Sequence, residues 1–311
     1  MKKLIEVFLP LIISSSLLAE PPAIVIHGGA GWFSNMSSEE IRDLKKGLKM
    51  AADKGFGILE DGGSSVDAVE AAIIILEDNP LFNAGRGSVY TSEEKQEMDA
   101  SIMTGRDNEA GAVSSVTNVK NPITLARYVM EQTPHVMFTS SGAEKLAKDN
   151  NIEQVDQSYF ANPDRLKSLK KTQENKKGTV GVVAIDTNGV ITAGTSTGGM
   201  TNKAPGRVGD SPIIGAGTWV ENNSCGVSAT GHGEYFIRFS VAKEICVKVR
   251  YQNKSIQQAS TEVMNQLKEI GADGGVIVMD SKGNYSFAFN TPAMARAYKD
   301  ASLEIVKIYK N

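Results

Sequence analysis

The sequence predicts an α+β architecture in which antiparallel sheets are covered by helices. Two turn signals, Asn188-Gly189 and Lys282-Gly283-Asn284, each separate two apolar runs, as in β-hairpins. Helical stretches are grouped instead of alternating singly with strands, which argues against a doubly wound parallel sheet. With 311 residues, 41% of them hydrophobic, the chain has apolar material for one large domain or two small ones.

The elements follow in order. "AIVIHGGAG" (Ala23 to Gly31) is an apolar strand ending in glycines. Ile41, Leu44, Leu48, Ala51 and Ala52 then recur at helical spacing, behind a capping box of Ser37 and Glu40. "SVDAVEAAIIILED" (Ser65 to Asp78) is apolar nearly all round and predicts a buried helix, stopped at "NPLFNAGRG" by Pro80 and two glycines. Strands are expected at "QEMDASIMT" and "AGAVSSVTNV", a helix from near Pro122, a strand at "HVMFTSS" and a helix at "GAEKLAKDN". From Asn150 to Lys177 the chain is polar and without period, which reads as an exposed mobile segment. Beyond it come the hairpin "TVGVVAID"/"VITAGTST" and the strand "CGVSATG". Helices are expected over about Glu234 to Val249 and Ile256 to Ile270, ahead of the hairpin "GGVIVMD"/"YSFAFN".

Charges nearly balance, at a formal net charge of −3, so no electrostatic footprint for nucleic acid or a membrane surface is present. A small substrate is expected. Lys2 and Lys3 followed by "VFLPLIISSSLL" (Val7 to Leu18) read as an export signal, too short to span a bilayer, with cleavage after Ala19. Cys225 and Cys246 are the only cysteines; one falls in an expected strand and one in an expected helix, and two buried free thiols are predicted.

Several short patterns carry little. Gly29-Ala30-Gly31 fits only G-x-G of a dinucleotide fingerprint, with Ser34 at the third glycine. His27, His135 and His232 lack metal-ligand spacing, and each reads as a packed or hydrogen-bonded residue. "GTSTG" (Gly194 to Gly198) matches a nucleophile elbow, and Asp210 and His232 follow in hydrolase order. However, the glycines and prolines after it exclude the helix that an elbow needs. Arg207 and Asp210 share a loop held open by Gly206 and Gly209. They read equally as a surface ion pair or as a grip on the carboxylate and ammonium of an α-amino acid.

Thr179 follows Gly178 where the polar run becomes a strand. A threonine hydroxyl needs a base, and its own α-amine serves if the Gly178–Thr179 bond breaks. That amine has an ordinary pKa of about 7.7–8.0, suited to base work near neutrality. Gly178 tolerates the backbone strain of attack on its own carbonyl.

"GTVGVVAID", "TSTGGMTNKAPGRVGDSPIIGAG" and "ATGHGE", with "IVIHGGAG", "NPLFNAGRGS" and "MDASIM" upstream, resemble the plant-type asparaginases. These are isoaspartyl peptidase/L-asparaginases of the N-terminal-nucleophile hydrolase class. The resemblance covers about His27 to Asp300 in order. It implies a four-layer αββα sandwich made as a precursor that cuts itself before Thr179. An α-chain of residues 20–178 and a β-chain of 179–311 would then be two pieces of one domain, pairing as (αβ)2.

On matching positions, Thr179 is the nucleophile and Thr197 steadies it. Thr230 and Gly231 form the oxyanion hole, Arg207 binds the substrate carboxylate, and Asp210 with Gly233 binds its amine. Asn83 lies close to the nucleophile, and the other hydroxyls, Ser196 among them, serve the turn or the structure. Leu76, Glu77, Asn79, Phe82, Ala84 and Arg86 match a structural sodium site of backbone carbonyls, and no catalytic metal or cofactor is implied. The implied substrates are L-asparagine and β-aspartyl dipeptides. The leader at residues 1–19 departs from the many relatives that are cytoplasmic and points to an exported, periplasmic place, or to the cytoplasm if it does not function. Glycosylasparaginases share a "GRVGDSP"-like loop but typically have aspartate before the threonine and "TGNGD" where "TGHGE" stands here. A non-cleaving exported amino-acid-binding protein of the same fold is the alternative outside catalysis.

Overall fold

The computed structural model describes residues 21–31, 33, 36–170 and 178–310. The expected export signal at residues 1–19 lies outside them, as does the end of the polar run, 171–177.

One antiparallel-dominated sheet of eight strands has the order β12-β11-β1-β5-β6-β2-β3-β4. Its strands are β1 (Ala23–Gly31), β2 (Met98–Thr104), β3 (Ala110–Val116), β4 (Met137–Thr139), β5 (Val180–Ile185), β6 (Ile191–Thr197), β11 (Ala293–Lys299) and β12 (Glu304–Tyr309). A second sheet of four strands, β10-β9-β8-β7, uses β7 (Thr218–Glu221), β8 (Cys225–Gly231), β9 (Gly274–Asp280) and β10 (Tyr285–Phe289). The only parallel pair is β3 with β4 among the described strands. Helices α1 (Ser38–Glu60), α2 (Ser65–Glu77) and α3 (Pro122–Gln132) cover the large sheet, while α7 (Val241–Gln252) and α8 (Ile256–Glu269) cover the small one. The result is the expected αββα sandwich, with a separate apolar layer under each set of helices and a third between the sheets.

Strand alternation decides which residues enter the middle layer. In β5 and β6, Val183, Ile185, Ile191 and Ala193 face the other sheet, while Val180, Val182 and Ala184 face the helices. The same odd-numbered face continues at Thr179, Gly181, Thr195 and Thr197. The layer between the sheets is therefore apolar toward one end and hydroxyl-bearing toward the other.

Local signals account for the boundaries. Ser37 accepts from the Glu40 N–H at 3.2 Å while Glu40 accepts from the Ser37 N–H at 2.8 Å, closing the capping box that starts α1. The β5–β6 turn has Gly189 at φ 73°, a left-handed backbone that suits glycine.

Three expectations are corrected. The polar run contains a 3₁₀ turn, Gln157–Phe160, and a helix α5 (Pro163–Lys170). It docks because Phe160 and Arg165 are buried, which a search for periodicity misses. The single helix over about Glu234 to Val249 is two, α6 (Gly233–Arg238) and α7, broken at Ser240 with φ 47°. Cys225 and Cys246 are not free thiols but a disulfide joining β8 to α7, with Cα atoms 5.4 Å apart. The cause is tertiary: Cys225 lies on the helix-covered face of β8, and Cys246 lies on the buried side of the helix above it.

Candidate active site

Thr179 stands one residue before β5, in the middle of the large sheet. The β5–β6 register pairs Val180 with Ser196, so one step outward sets Thr179 opposite Thr197. Their hydroxyls are 3.1 Å apart, the Thr179 hydroxyl donating, and both residues are buried. The Thr197 oxygen also accepts the Gly199 N–H at 2.9 Å, which fixes its lone pairs.

Gly178 packs against the second sheet. A Cβ there would lie 2.4 Å from the Thr230 hydroxyl and 2.9 Å from the Ala30 nitrogen, so only glycine fits. Gly29, at φ 103°, presses on the same residue: a Cβ on it would lie 2.7 Å from the Gly178 N, Cα and O. Thr230 and Gly231 close β8, and the Thr230 oxygen accepts the Ala30 N–H at 3.4 Å. The glycines of "HGGAG" therefore serve a close backbone approach to Gly178.

Asp210 is buried, and its Oδ2 has no hydrogen-bond partner among the described residues. Burial pushes its carboxyl up to about 7, with nearby Arg207 pulling the other way. Gly233 faces this pair, since a Cβ on it would lie 2.9 Å from Arg207 Nη2 and 3.0 Å from Asp210 Oδ1. Arg207 makes its ion pair with Glu234 instead of Asp210, donating from Nε at 2.9 Å and from Nη2 at 2.8 Å to one carboxylate oxygen. Glu234 is half exposed and was missed in the sequence, because its pairing with Arg207 joins the first turn of α6 to a loop 27 residues earlier.

Asn83 holds the turn after Thr197. Its amide donates to the Gly199 carbonyl at 2.8 Å, and its backbone carbonyl accepts the Gly198 N–H at 3.1 Å. The loop bearing Asn83 is itself held by Arg165, buried and, among the described residues, without a carboxylate in contact, which donates to the Gly87 carbonyl at 2.9 Å and the Leu81 carbonyl at 3.2 Å. Burial lowers that guanidinium to about 10. Nothing in the polar run marked this arginine.

Two neighbouring hydroxyls are tied away from the turn. Ser196 points to the helix side and donates to buried Glu77 at 2.6 Å, whose carboxyl burial raises to about 8. Thr195 lies between the sheets, bonded to Ser228 at 2.7 Å and Thr218 at 2.6 Å. His27, read from sequence as a packed residue, is fully buried. Its Nδ1 is 3.1 Å from the Thr179 carbonyl and its Nε2 is 3.0 Å from the Ser228 hydroxyl.

Leu76 and Glu77 end α2, and Asn79, Phe82, Ala84 and Arg86 follow in the loop. Carbonyls crowd here: a Cβ on Gly87 would lie 1.8 Å from the Phe82 oxygen and 2.8 Å from the Pro80 oxygen, and one on Gly85 2.6 Å from that of Glu77. Neutral oxygens at a helix C-terminus suit a hard monovalent cation. No cluster of three or more His, Cys, Asp or Glu suited to a metal is present among the described residues.

Gly199, bonded to Thr197 and set against Arg207, and the end of β8, set against Gly178, thus bring the hydroxyl pair, the Gly178–Thr179 bond and the Arg207/Asp210 loop into one neighbourhood. The family model described as Asparaginase matches residues 20–177 and 167–307. The isoaspartyl peptidase of Escherichia coli (strain K12) is 42% identical over 294 residues, 88% of this chain and 92% of that protein. The isoaspartyl peptidase/L-asparaginase of Xenopus laevis is 42% identical over 295 residues, 91% and 94% of the two chains. That of Bos taurus is 40% identical over 294 residues, with the same shares. Matched in this way from before β1 into β12, the chain belongs to the asparaginase family and is a hydrolase of the N-terminal-nucleophile class.

Proposed function

We propose that the chain matures by cutting itself between Gly178 and Thr179 and then hydrolyses L-asparagine and β-aspartyl dipeptides through an ester on Thr179. One observation carries this reading: the Thr179 hydroxyl is paired with Thr197 at 3.1 Å, beside a Gly178 pressed against the Thr230 hydroxyl.

In maturation, the Thr179 oxygen adds to the Gly178 carbonyl carbon, the C–N bond breaks as the hydroxyl proton passes to the departing nitrogen, which becomes the free Thr179 amine, and the acyl group stays on the oxygen. Water then hydrolyses this ester, releasing the Gly178 carboxylate and restoring the Thr179 hydroxyl. In turnover, this amine takes the proton of its own hydroxyl as the oxygen attacks the substrate's side-chain carbonyl carbon. Thr230 and the Gly231 N–H stabilise the oxyanion. The proton leaves with ammonia or the departing peptide amine, and water releases aspartate. Arg207 and Asp210 hold the α-carboxylate and α-ammonium that both substrates share, so only the leaving group differs.

Denaturing mass spectrometry of the purified chain, beside Thr179→Ala, tests this. A fragment starting at Thr179 in the wild type alone is expected. A folded wild type that stays whole after long incubation would point to the amino-acid-binding protein. Glycosylasparaginase chemistry is the alternative within the enzymes; faster release of the sugar from a glycosylated asparagine than of ammonia from asparagine would favour it.

Three further features belong to this reading. The pieces pair as (αβ)2, which native mass spectrometry checks: a lone αβ unit at micromolar concentration overturns it. The Leu76–Arg86 loop holds a structural sodium ion through its carbonyls, so exchanging sodium for a bulky organic cation should lower the melting temperature, and no change would remove the ion. The chain is exported after loss of residues 1–19. The Cys225–Cys246 disulfide supports an oxidising compartment, and a cytoplasmic protein with Met1 intact would refute export.

A further inference from the structure

We propose that His27 is a positioning residue for Thr179, its Nδ1–H holding the Thr179 carbonyl so that the cut end stays aimed at Thr197 and substrate. This rests on the reading of Thr179 as nucleophile.

Thr179 stands outside β5, and cleavage removes the peptide before it. A chain end frays unless it is tied down. The hydroxyl has Thr197 at 3.1 Å and the carbonyl has His27 at 3.1 Å. During turnover the hydroxyl is consumed as the ester forms, so its bond to Thr197 changes. The carbonyl bond need not change, and it holds the residue through every step.

The tautomer follows from the partners. A carbonyl only accepts, so Nδ1 carries the hydrogen. Burial lowers the imidazole to about 3, leaving it neutral, and Nε2 therefore accepts the Ser228 hydroxyl hydrogen. Gly181 makes room for this bond, since a Cβ there would lie 1.9 Å from the Ser228 oxygen and 2.4 Å from His27 Nε2. The register sets His27 against Gly181 across β1 and β5, which gives that glycine its reason.

The ring is anchored beyond Ser228 as well. Ser228 meets Thr195, Thr195 meets Thr218 at 2.6 Å, and Ser101 shares its one hydroxyl hydrogen between Thr218 at 2.8 Å and the Ser211 carbonyl at 2.6 Å. All of these residues are buried, and Ser211 follows Asp210 in the chain. The hydroxyls of four strands thus fix the imidazole and end on the backbone that carries the carboxylate proposed to bind the ammonium. Burial demands partners for both ring nitrogens in any case; what sets His27 apart is that one partner is the carbonyl of the proposed nucleophile.

The test compares two substitutions with opposite halves of the ring. His27→Asn keeps a donor near Nδ1 and loses the Ser228 bond; His27→Gln reaches toward Ser228 and loses the donor to Thr179. His27→Gln should slow self-cleavage and lower kcat on the order of ten- to a hundredfold, with KM within about twofold because the grip is untouched. His27→Asn should stay nearer the wild type in both rates. Melting temperatures of the same variants in uncleavable Thr179→Ala background report folding separately. If neither variant folds, Gly181→Ala, which crowds Nε2 and Ser228 from behind, should lower kcat at constant KM. Wild-type rates in His27→Gln, an Asn variant no better than Gln, or wild-type kcat in Gly181→Ala would each overturn the proposal. A wild type that never cuts before Thr179 overturns the nucleophile assignment itself; cutting with no Asn-over-Gln order overturns only the role of His27.

Discussion

Asp210 combines full burial, an Oδ2 without a partner and a carboxyl raised to about 7. Its ionisation opposes folding: between the unfolded value of about 3.9 and the folded value of about 7, the native state binds the extra proton, so stability falls as pH rises through that window. A substrate ammonium favours the ionised form, so binding should weaken as pH falls below about 7. The amine that the proposed cut frees on Thr179 adds a second protonation at about 7.7–8.0. The logarithm of kcat/KM against pH should therefore approach a two-proton slope on the acid side in the wild type and a one-proton slope in Asp210→Asn. Asp210→Asn should also lose on the order of a hundredfold or more in kcat/KM, since it leaves a buried ammonium unpaired. An unchanged slope in the variant would remove Asp210 from the site. At this scale Thr179, Thr197, Thr230, Arg207 and Asp210 were legible because each lies in a continuous motif. His27 and Ser228 were not, because only the pairing of β1 with β5, and of one sheet with the other, makes them meet.

Elements differ in how openly the sequence declares them. The capping box at Ser37 and the turn at Gly189 are local chemistry and were readable as such. The break at Ser240 was hidden, because "YFIRFSVAKEI" stays apolar across it; packing on the small sheet, not propensity, sets the left-handed residue. The disulfide was hidden for a related reason, since the approach of Cys225 to Cys246 depends on α7 crossing β8. It closes a short loop and should contribute about 2–4 kcal/mol. Reductant should lower the urea midpoint of the wild type accordingly and leave a Cys225→Ala/Cys246→Ala variant unchanged. Identical wild-type midpoints with and without reductant would show that the bond adds nothing. Because β8 also ends in Thr230 and Gly231, the crosslink steadies the strand that bears both proposed oxyanion donors.

The layered architecture was legible from hairpins and grouped helices, but the strand order was not, since non-neighbouring strands pair through contacts far apart in sequence. That order has β1 between β11 and β5, and β2 beside β6. Strands from before and after Gly178 are thus interleaved in one sheet, so the two pieces should remain together under native conditions and separate only on unfolding. In a refolding experiment, Thr179→Ala should recover with a yield independent of protein concentration, and mature wild type with a yield that falls on dilution. Equal, concentration-independent recovery would contradict the interleaving. The consequence reaches past catalysis. While whole, the chain finds β1's slot by closing a loop, a search within one molecule whose cost grows slowly with length. Once cut, the same search becomes a meeting of two molecules. In the proposed maturation, the bond whose cutting creates the nucleophile is also the tether that guided assembly, and its loss would make that maturation a one-way passage. From then on the lifetime of the protein is governed by how slowly the interleaved sheet opens, not by how readily it could form again.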